Sequence, residues 1–193
     1  MTDTRDLLKL PPGLPVPIDD GRAAHVMGAR VPSISLPSTL GQAIDLAKVQ
    51  GRAAVFAYPR TGRPGQPPLV PDWDLIPGAR GCTPQTCSFR DLADDFKKLD
   101  VQIFGLSTQE PAYQREMAER LHLPFPVLSD HALQLTSALR LPTLAVAGFV
   151  LVARLAWLQS DGLIERVFYP VFPPDGNAAN VLDWLRAHDH SRR

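Results

Sequence analysis

The sequence contains little cysteine, no net charge and no long apolar run. Two cysteines in 193 residues are too few for the disulfide-stapled scaffold of a small secreted protein. Twenty basic residues balance twenty acidic ones, so no broad electric field favours nucleic acid or an anionic membrane surface as a partner. The most apolar run, residues 144–153, has about half the length that crosses a bilayer. These absences argue against nucleic-acid-binding, membrane-spanning and disulfide-scaffold proteins.

The N-terminal stretch MTDTRDLLKLPPGLP lacks the basic region and the apolar segment of a signal peptide, which predicts a cytoplasmic location. Residues 1–30 mix proline, glycine and charge without a regular period, so we interpret them as an extended arm that either lies on the domain or is partly disordered. The remaining residues, 31–193, have the length of one domain.

Alternation of strand and helix patterns predicts an α/β fold. Residues 53–58 form a β-prone run that Pro59 ends, and we expect a central strand there. Residues 59–81 are dense in proline and glycine and too long for an ordinary connection, which indicates an inserted loop that is either functional or disordered. The later elements are predicted as strands at 101–107, 125–130, 143–152, 154–158 and 164–168, and as helices at 110–122, with a capping box formed by Ser107 and Glu110, at 131–139 and at 177–188. This order predicts a central mixed β-sheet with helices on both faces.

Cys82 is predicted to lie at the start of a helix. Thr83 and Pro84 have the pattern of an N-cap and a first helical residue, and apolar residues recur at helical spacing as far as Asp100, namely Phe89, Leu92, Ala93 and Phe96. The free amides and the positive end of a helix favour a thiolate at that place. Cys87 points away from the apolar stripe and is not an obvious core residue.

The spacing of the two cysteines restricts what they can do together. Within one helix, a rise of 1.5 Å per residue separates their Cα atoms by roughly 7.5 Å along the axis, beyond the usual disulfide range of about 4.4–6.8 Å. A bond between Cys82 and Cys87 therefore requires the first turns to unwind. Two other interpretations stay open: both residues are ordinary packed thiols, or they bind zinc, although His122 and His131 are distant in sequence.

Three segments, FAYPRTG, GCTPQTCSFRDLADDFKKLDVQIFGLSTQ and LPFPVLSD, resemble the peroxiredoxin Q, or bacterioferritin-comigratory, class of peroxiredoxins. The similarity covers about residues 33–185, and its most specific part is Gly-Cys-Thr-x-x-x-Cys-x-x-Arg-Asp at 81–91. The resemblance implies a thioredoxin-like fold and a peroxidase that uses neither a metal nor an organic cofactor.

The resemblance also implies the roles of the two cysteines. Cys82 would attack hydrogen peroxide or a small organic hydroperoxide and become a sulfenic acid, which Cys87 would resolve by forming an intramolecular disulfide. A thioredoxin- or glutaredoxin-like reductant would restore both thiols. Members of this class are expected as monomers or weak dimers.

Two further site residues are implied by the resemblance, each with a structural alternative. The family pattern P-x-x-x-T-x-x-C is broken here because Ala79 precedes the cysteine by three residues, so Thr61 can serve only if the loop folds back; otherwise it is a turn residue. Arg154 matches the arginine that stabilises the thiolate and the peroxide, but it could also lie at a sheet edge with its head group in water. Arg80 and Arg90 are competing candidates by proximity.

The inserted loop and the altered threonine position leave two other functions open. A redox sensor would use an 82–87 disulfide to change the shape of the loop and helix and thereby a partner's binding. A binding module would result if the insertion blocked the pocket. Trp73 belongs to this loop and either covers the site or anchors the loop to the surface.

Overall fold

A computed structural model describes residues 6–188. The first five residues of the predicted arm and the last five residues of the predicted domain lie outside the described part. Five α-helices occur within it: α1 (Cys82–Asp91), α2 (Ala93–Lys98), α3 (Pro111–Arg120), α4 (Gln134–Ala138) and α5 (Asn177–His188). Nine strands accompany them: β1 (Ser35–Pro37), β2 (Ala43–Asp45), β3 (Arg52–Ala57), β4 (Val101–Ser107), β5 (Val127–Ser129), β6 (Thr143–Val146), β7 (Phe149–Val152), β8 (Leu155–Ser160) and β9 (Leu163–Phe168).

The main sheet has five strands in the order β5-β4-β3-β8-β9. The strand predicted at 53–58 is its middle member, β3, which runs parallel to β4 and antiparallel to β8. Five of its six residues are buried, as a small and apolar strand covered on both faces requires. The sheet is therefore mixed, as predicted.

Two hydrophobic clusters cover the two faces of this sheet. On one face, Phe56 and its neighbours are covered by one core residue from each of four helices: Phe89 of α1, Phe96 of α2, Met117 of α3 and Leu182 of α5. On the other face, α4 and the segment before β3 pack on alternate sheet residues such as Val55 and Trp157. Strand β3 is anchored on both faces because its side chains alternate between these two clusters. The chain that follows β3, with Tyr58 and Thr61, therefore starts from a fixed point at the end of the sheet.

Three predicted elements differ from the structure. The helix expected from Thr83 through Asp100 ends at Asp91 and resumes at Ala93, because Leu92 leaves helical geometry with φ −102° and ψ 9°. The strand expected at 143–152 is a hairpin of β6 and β7 that turns at Ala147 and Gly148, both with positive φ. The capping box is also wrong: α3 begins at Pro111, and no side chain caps it.

The described part of the predicted arm, residues 6–30, packs on the domain. The side chain of Val26 is fully buried, and the backbone of Ala29 accepts a hydrogen bond from Ile164 in β9. Nearer its start, the carbonyls of Asp6 and Lys9 accept hydrogen bonds from Arg80. The arm thus reaches the inserted loop.

The inserted loop, residues 59–81, has a small core of its own. Trp73 and Ala79 are buried against Val146 and Leu151 of the β6–β7 hairpin, and a short 3-10 helix forms at Trp73–Leu75. Among residues 6–188, no helix combines the length and the apolar character that crossing a membrane demands.

Candidate active site

Cys82 is the first residue of α1, and its side chain is 2% exposed. The residue before the helix is Gly81, not Thr83 as predicted, and its φ of +103° suits glycine. A Cβ at Gly81 would lie 2.5 Å from Cγ of Pro174, so the close approach of residues 174–176 also needs glycine. Helix α1 therefore starts earlier than predicted, and Cys82 belongs to its first turn.

Arg154 lies over the sulfur of Cys82. Its Nη2 atom donates to Sγ at 3.3 Å and to the carbonyls of Gly78, Ala79 and Arg80 at 2.9–3.2 Å. Its Nη1 atom donates to the side-chain oxygen of Gln85. The side chain is only 3% exposed, which excludes the alternative with its head group in water. The structure therefore brings Arg154 together with the thiol of Cys82, while the catalytic role predicted for Arg154 stays a prediction.

The two competing arginines are engaged elsewhere. Arg80 donates to carbonyls of the arm and lies 3.9 Å from a carboxylate oxygen of Asp74. Arg90 pairs with Asp91 at 2.8 Å and donates to the carbonyl of Leu121. By contrast, no ion pair with a carboxylate is formed by Arg154 within residues 6–188, and its other acceptors are neutral oxygens. Among the acceptors that this buried guanidinium has in residues 6–188, the sulfur of Cys82 is the one that can become an anion.

Thr61 is fixed beside the start of the inserted loop by the side chain of Gln109. Its backbone N–H and its hydroxyl both donate to Oε1 of Gln109, at 2.9 and 3.1 Å, and Nε2 of Gln109 returns a hydrogen bond to the Thr61 carbonyl. Thr61 is 1% exposed. It is therefore a buried, positioned hydroxyl and not merely a turn residue.

Thr61 and Cys82 line the same cavity, of about 270 Å³. The loop therefore folds back, which the sequence left open, and Trp73 both packs in the loop's small core and forms part of the cavity wall. The other lining residues are mainly proline, leucine and arginine from the loop and the arm, with Tyr113 from α3: Leu7, Arg60, Gly62, Gln66, Pro67, Pro68, Leu69, Arg80, Gly81, Thr83, Pro84 and Tyr113.

Cys87 lies in the same helix as Cys82, and both are free thiols. It is partly exposed and packs against the core cluster beneath α1, so it is closer to the core than the helical wheel predicted. Burial raises the pKa of the Cys87 thiol above its ordinary value, while the charges of Arg90 and Arg120 oppose that shift. Cys87 is thus a neutral, half-buried thiol while α1 is intact.

Sequence reasoning missed Gln85, Gln109 and Asn177. Gln85 is fully buried, accepts from Arg154 and donates to Oδ1 of Asn177 at 2.9 Å. A signal for it existed, because residue 85 falls on the same helical stripe as Phe89 and Phe96, and a polar residue on a buried stripe needs buried partners. Nothing in the sequence near Gln109 or Asn177 marks them similarly.

Tyr58 places a phenol in the core beside the site. It is fully buried, and its hydroxyl has no hydrogen-bond partner within residues 6–188. Burial, and secondarily the neighbouring Cys82, raise the pKa of Tyr58 well above its ordinary value. The phenol therefore stays protonated.

No group of three histidine, cysteine, aspartate or glutamate side chains within the described part of the chain could hold a metal ion.

The fold and the site define a thioredoxin-like protein with a buried cysteine that an arginine holds at a helix N-terminus. The family profile described as Redoxin matches residues 27–182, and the chain belongs to that family. The chain is 31% identical over 166 residues to Peroxiredoxin Bcp of Escherichia coli, and this match covers 83% of the chain and 96% of the Escherichia coli protein.

Two other matches agree with this assignment. The chain is 26% identical over 161 residues to Peroxiredoxin Q, chloroplastic, of Oryza sativa subsp. japonica, a match that covers 83% of this chain and 66% of the rice protein's length. Among solved structures, Peroxidoxin BcpB from Mycobacterium tuberculosis is 25% identical, with a TM-score of 0.66 over 84% of this chain and 97% of that one. The predicted resemblance to peroxiredoxin Q and Bcp proteins and the thioredoxin-like fold are confirmed.

Proposed function

We propose that the protein is a thiol-dependent peroxidase in which Cys82 reacts with the peroxide. The observation that carries this proposal is the buried guanidinium of Arg154, which lies 3.3 Å from Sγ of Cys82 and has no carboxylate partner among residues 6–188. A buried charge needs a counter-charge, and a thiolate at Cys82 supplies it. The names of the relatives, peroxiredoxin Q and Bcp, support the same activity.

In the first step the Cys82 thiolate attacks one oxygen of the peroxide O–O bond. The S–O bond forms as the O–O bond breaks, the sulfur loses two electrons to give a sulfenic acid, and the other oxygen leaves as an alkoxide or hydroxide that takes a proton from water. Arg154 is placed to stabilise both the thiolate and the oxygen under attack. Thr61, held by Gln109 in the wall of the same cavity, is placed to bind the peroxide.

In the second step Cys87 attacks the sulfenic sulfur of Cys82. The S–S bond forms, the S–O bond breaks, and the leaving hydroxide takes up the proton that Cys87 gave to solvent, so that water is the product. Because both cysteines lie in one intact helix, the first turns of α1 unwind before this bond forms. A thioredoxin- or glutaredoxin-like dithiol then reduces the disulfide, and a reducing compartment such as the cytoplasm would supply it.

The cavity supports small organic hydroperoxides as substrates besides hydrogen peroxide. Its volume of about 270 Å³ exceeds by far the roughly 30 Å³ that a water molecule occupies in the liquid. Leucine, proline and tryptophan side chains supply apolar walls for an alkyl group. The proposal therefore includes hydrogen peroxide and small organic hydroperoxides as substrates. We further propose that the protein works as a monomer or weak dimer.

Turnover with an external dithiol tests the function. We expect wild-type protein to consume many equivalents of hydrogen peroxide when a thioredoxin, its reductase and NADPH are present. Cys82→Ser is expected to consume none, and Cys87→Ser is expected to turn over much more slowly with this donor. A single stoichiometric oxidation without turnover would instead indicate a sensor, and no oxidation at all would indicate a binding module.

A further inference from the structure

The side chain of Gln85 ties the first turns of α1 to the rest of the protein, in addition to the contact between Arg154 and Cys82. Gln85 lies between the two cysteines in the helix and is fully buried. Its oxygen accepts from Nη1 of Arg154. Its Nε2 atom donates to Oδ1 of Asn177 at 2.9 Å and, over a longer distance of 3.5 Å, to the carbonyl of Ala57. Any unwinding that carries Cys82 toward Cys87 must displace this side chain.

Asn177 provides a fixed support for that contact. It is the first residue of α5, is 1% exposed, and precedes the buried Val181, Leu182 and Leu185 that anchor α5 in the core. Its Nδ2 atom has no hydrogen-bond partner within the described residues, so Oδ1, which accepts from Gln85, is its engaged side-chain atom. The side chain of Asn177 therefore serves α1 rather than its own helix.

We propose that the hydrogen bond between Gln85 and Asn177 is a latch that sets how fast the Cys82 sulfenic acid is resolved. The inference rests on the proposed peroxidase function. While the latch is closed, Arg154 keeps Cys82 under its guanidinium and Cys87 stays half-buried. Opening the latch frees the segment between the cysteines, and Cys87 can then attack.

The latch thereby decides between two fates of the sulfenic acid. Attack by Cys87 gives the disulfide and water. Attack of the sulfenate on a second peroxide molecule forms another S–O bond and breaks its O–O bond, which gives a sulfinic acid and an alcohol or water. A tighter latch favours the second reaction because it lengthens the life of the sulfenic acid.

The test compares three variants at two positions of α5, Asn177 and Asn180. Asn177→Ala removes the acceptor. Asn177→Asp keeps an oxygen acceptor for Gln85 but exchanges the neutral amide for a buried carboxylate. Asn180→Ala removes an asparagine side chain from an exposed site of the same helix. Reduced protein is mixed rapidly with hydrogen peroxide, quenched with acid at successive times and analysed by intact mass. The measured quantities are the rates of sulfenic acid and disulfide formation and the final fraction of sulfinic acid.

We expect Asn177→Ala to form the disulfide about fivefold faster, the factor equivalent to one typical hydrogen bond, and to accumulate less sulfinic acid at high peroxide. Asn177→Asp, whose carboxylate can still accept from Gln85, is expected to form the disulfide no faster than wild type, and Asn180→Ala is expected to resemble wild type. Unchanged or slower disulfide formation in Asn177→Ala, with sulfenic acid still formed at Cys82, would overturn the latch and leave the peroxidase function intact. Equal acceleration in the alanine and aspartate variants would also overturn it. Absence of Cys82 oxidation in wild type would overturn both.

Discussion

At the scale of single residues, the site is an arrangement of buried polar groups whose partners are nearly all neutral. Arg154 donates to three consecutive loop carbonyls and to Gln85, and these bonds fix its guanidinium against the sulfur of Cys82. Carbonyl and amide oxygens accept from its two terminal nitrogens, whereas its Nε has no hydrogen-bond partner among residues 6–188. None of these neutral acceptors compensates its charge. In the proposed mechanism this guanidinium stabilises the thiolate and the negative charge that develops on the peroxide.

Replacing Arg154 with methionine tests this residue. We expect the rate at which peroxide oxidises Cys82 to fall by roughly a hundredfold, the loss typical of removing a donor that stabilises developing negative charge. The rate is measured by rapid mixing with hydrogen peroxide and quantifying the sulfenic acid. Arg166→Met, at an exposed arginine on β9, is the matched control and should react like wild type. Equal rates in the two variants would contradict the role of Arg154.

Tyr58 supplies a second prediction at this scale. Its buried hydroxyl has no partner among residues 6–188, and an unsatisfied buried group costs about 1–3 kcal/mol. Tyr58→Phe is therefore expected to increase the free energy of unfolding by about 1 kcal/mol, measured by urea denaturation. Tyr169→Phe is the control, because the Tyr169 hydroxyl donates to Asp20 at 2.9 Å and its loss should bring no gain. A clear destabilisation by Tyr58→Phe would show that the hydroxyl is satisfied in solution.

At the scale of elements, α1 is a short helix that carries both cysteines and is separated from α2 at Leu92. The apolar stripe predicted this helix, but its periodicity continues past the break, since Phe89 and Phe96 both stay in the core. Helix α1 also begins before the N-cap predicted at Thr83. Gly81, the residue before the helix, has a positive φ and packs closely against Pro174. This contact joins residues that are distant in sequence. Because of this break, the unwinding proposed for the first turns of α1 does not require α2 to unwind.

The pH dependence of resolution is a prediction about this helix. Burial raises the pKa of Cys87 while α1 is intact, so neutral Cys87 stabilises the closed helix below the ordinary thiol pKa. This stabilisation is lost as the pH rises through the raised pKa. Disulfide formation after a single oxidation should therefore accelerate from about pH 7 to about pH 9, since unwinding and the reactive thiolate are both favoured.

Rapid quenching and intact mass at each pH measure that rate. Cys87→Ser is the control, because it should form no intramolecular disulfide at any pH. A resolution rate that stays constant or falls over this interval would show that Cys87 deprotonation does not limit the step.

At the scale of the whole molecule, the N-terminal arm, the inserted loop and the start of α1 meet at one cavity. The arm contributes Leu7, the inserted loop contributes Thr61 and Trp73, and α1 contributes Cys82. The loop is held by its own small core against the β6–β7 hairpin and by Arg80 bound to the arm. This packing returns Thr61 to the cavity of Cys82 although 20 residues separate them.

The sequence predicted the parts of this assembly that local patterns encode. The central strand, the cysteine helix and the mixed sheet follow from periodicity and turn residues, and the family resemblance pointed to Arg154. The return of Thr61 could not be predicted, because it depends on packing between the loop and a hairpin about 80 residues later. Gln109 and Asn177 were missed for the same reason, since each acts through a buried side-chain contact with a residue distant in sequence.

The most direct test of the central claim is the intact mass of the protein after addition of one equivalent of hydrogen peroxide. Wild type, Cys82→Ser and Cys87→Ser are compared in the reduced state. We predict an internal disulfide in wild type, a sulfenic acid trapped at Cys82 in Cys87→Ser, and no reaction in Cys82→Ser. Rapid oxidation that survives the loss of Cys82 would contradict the account.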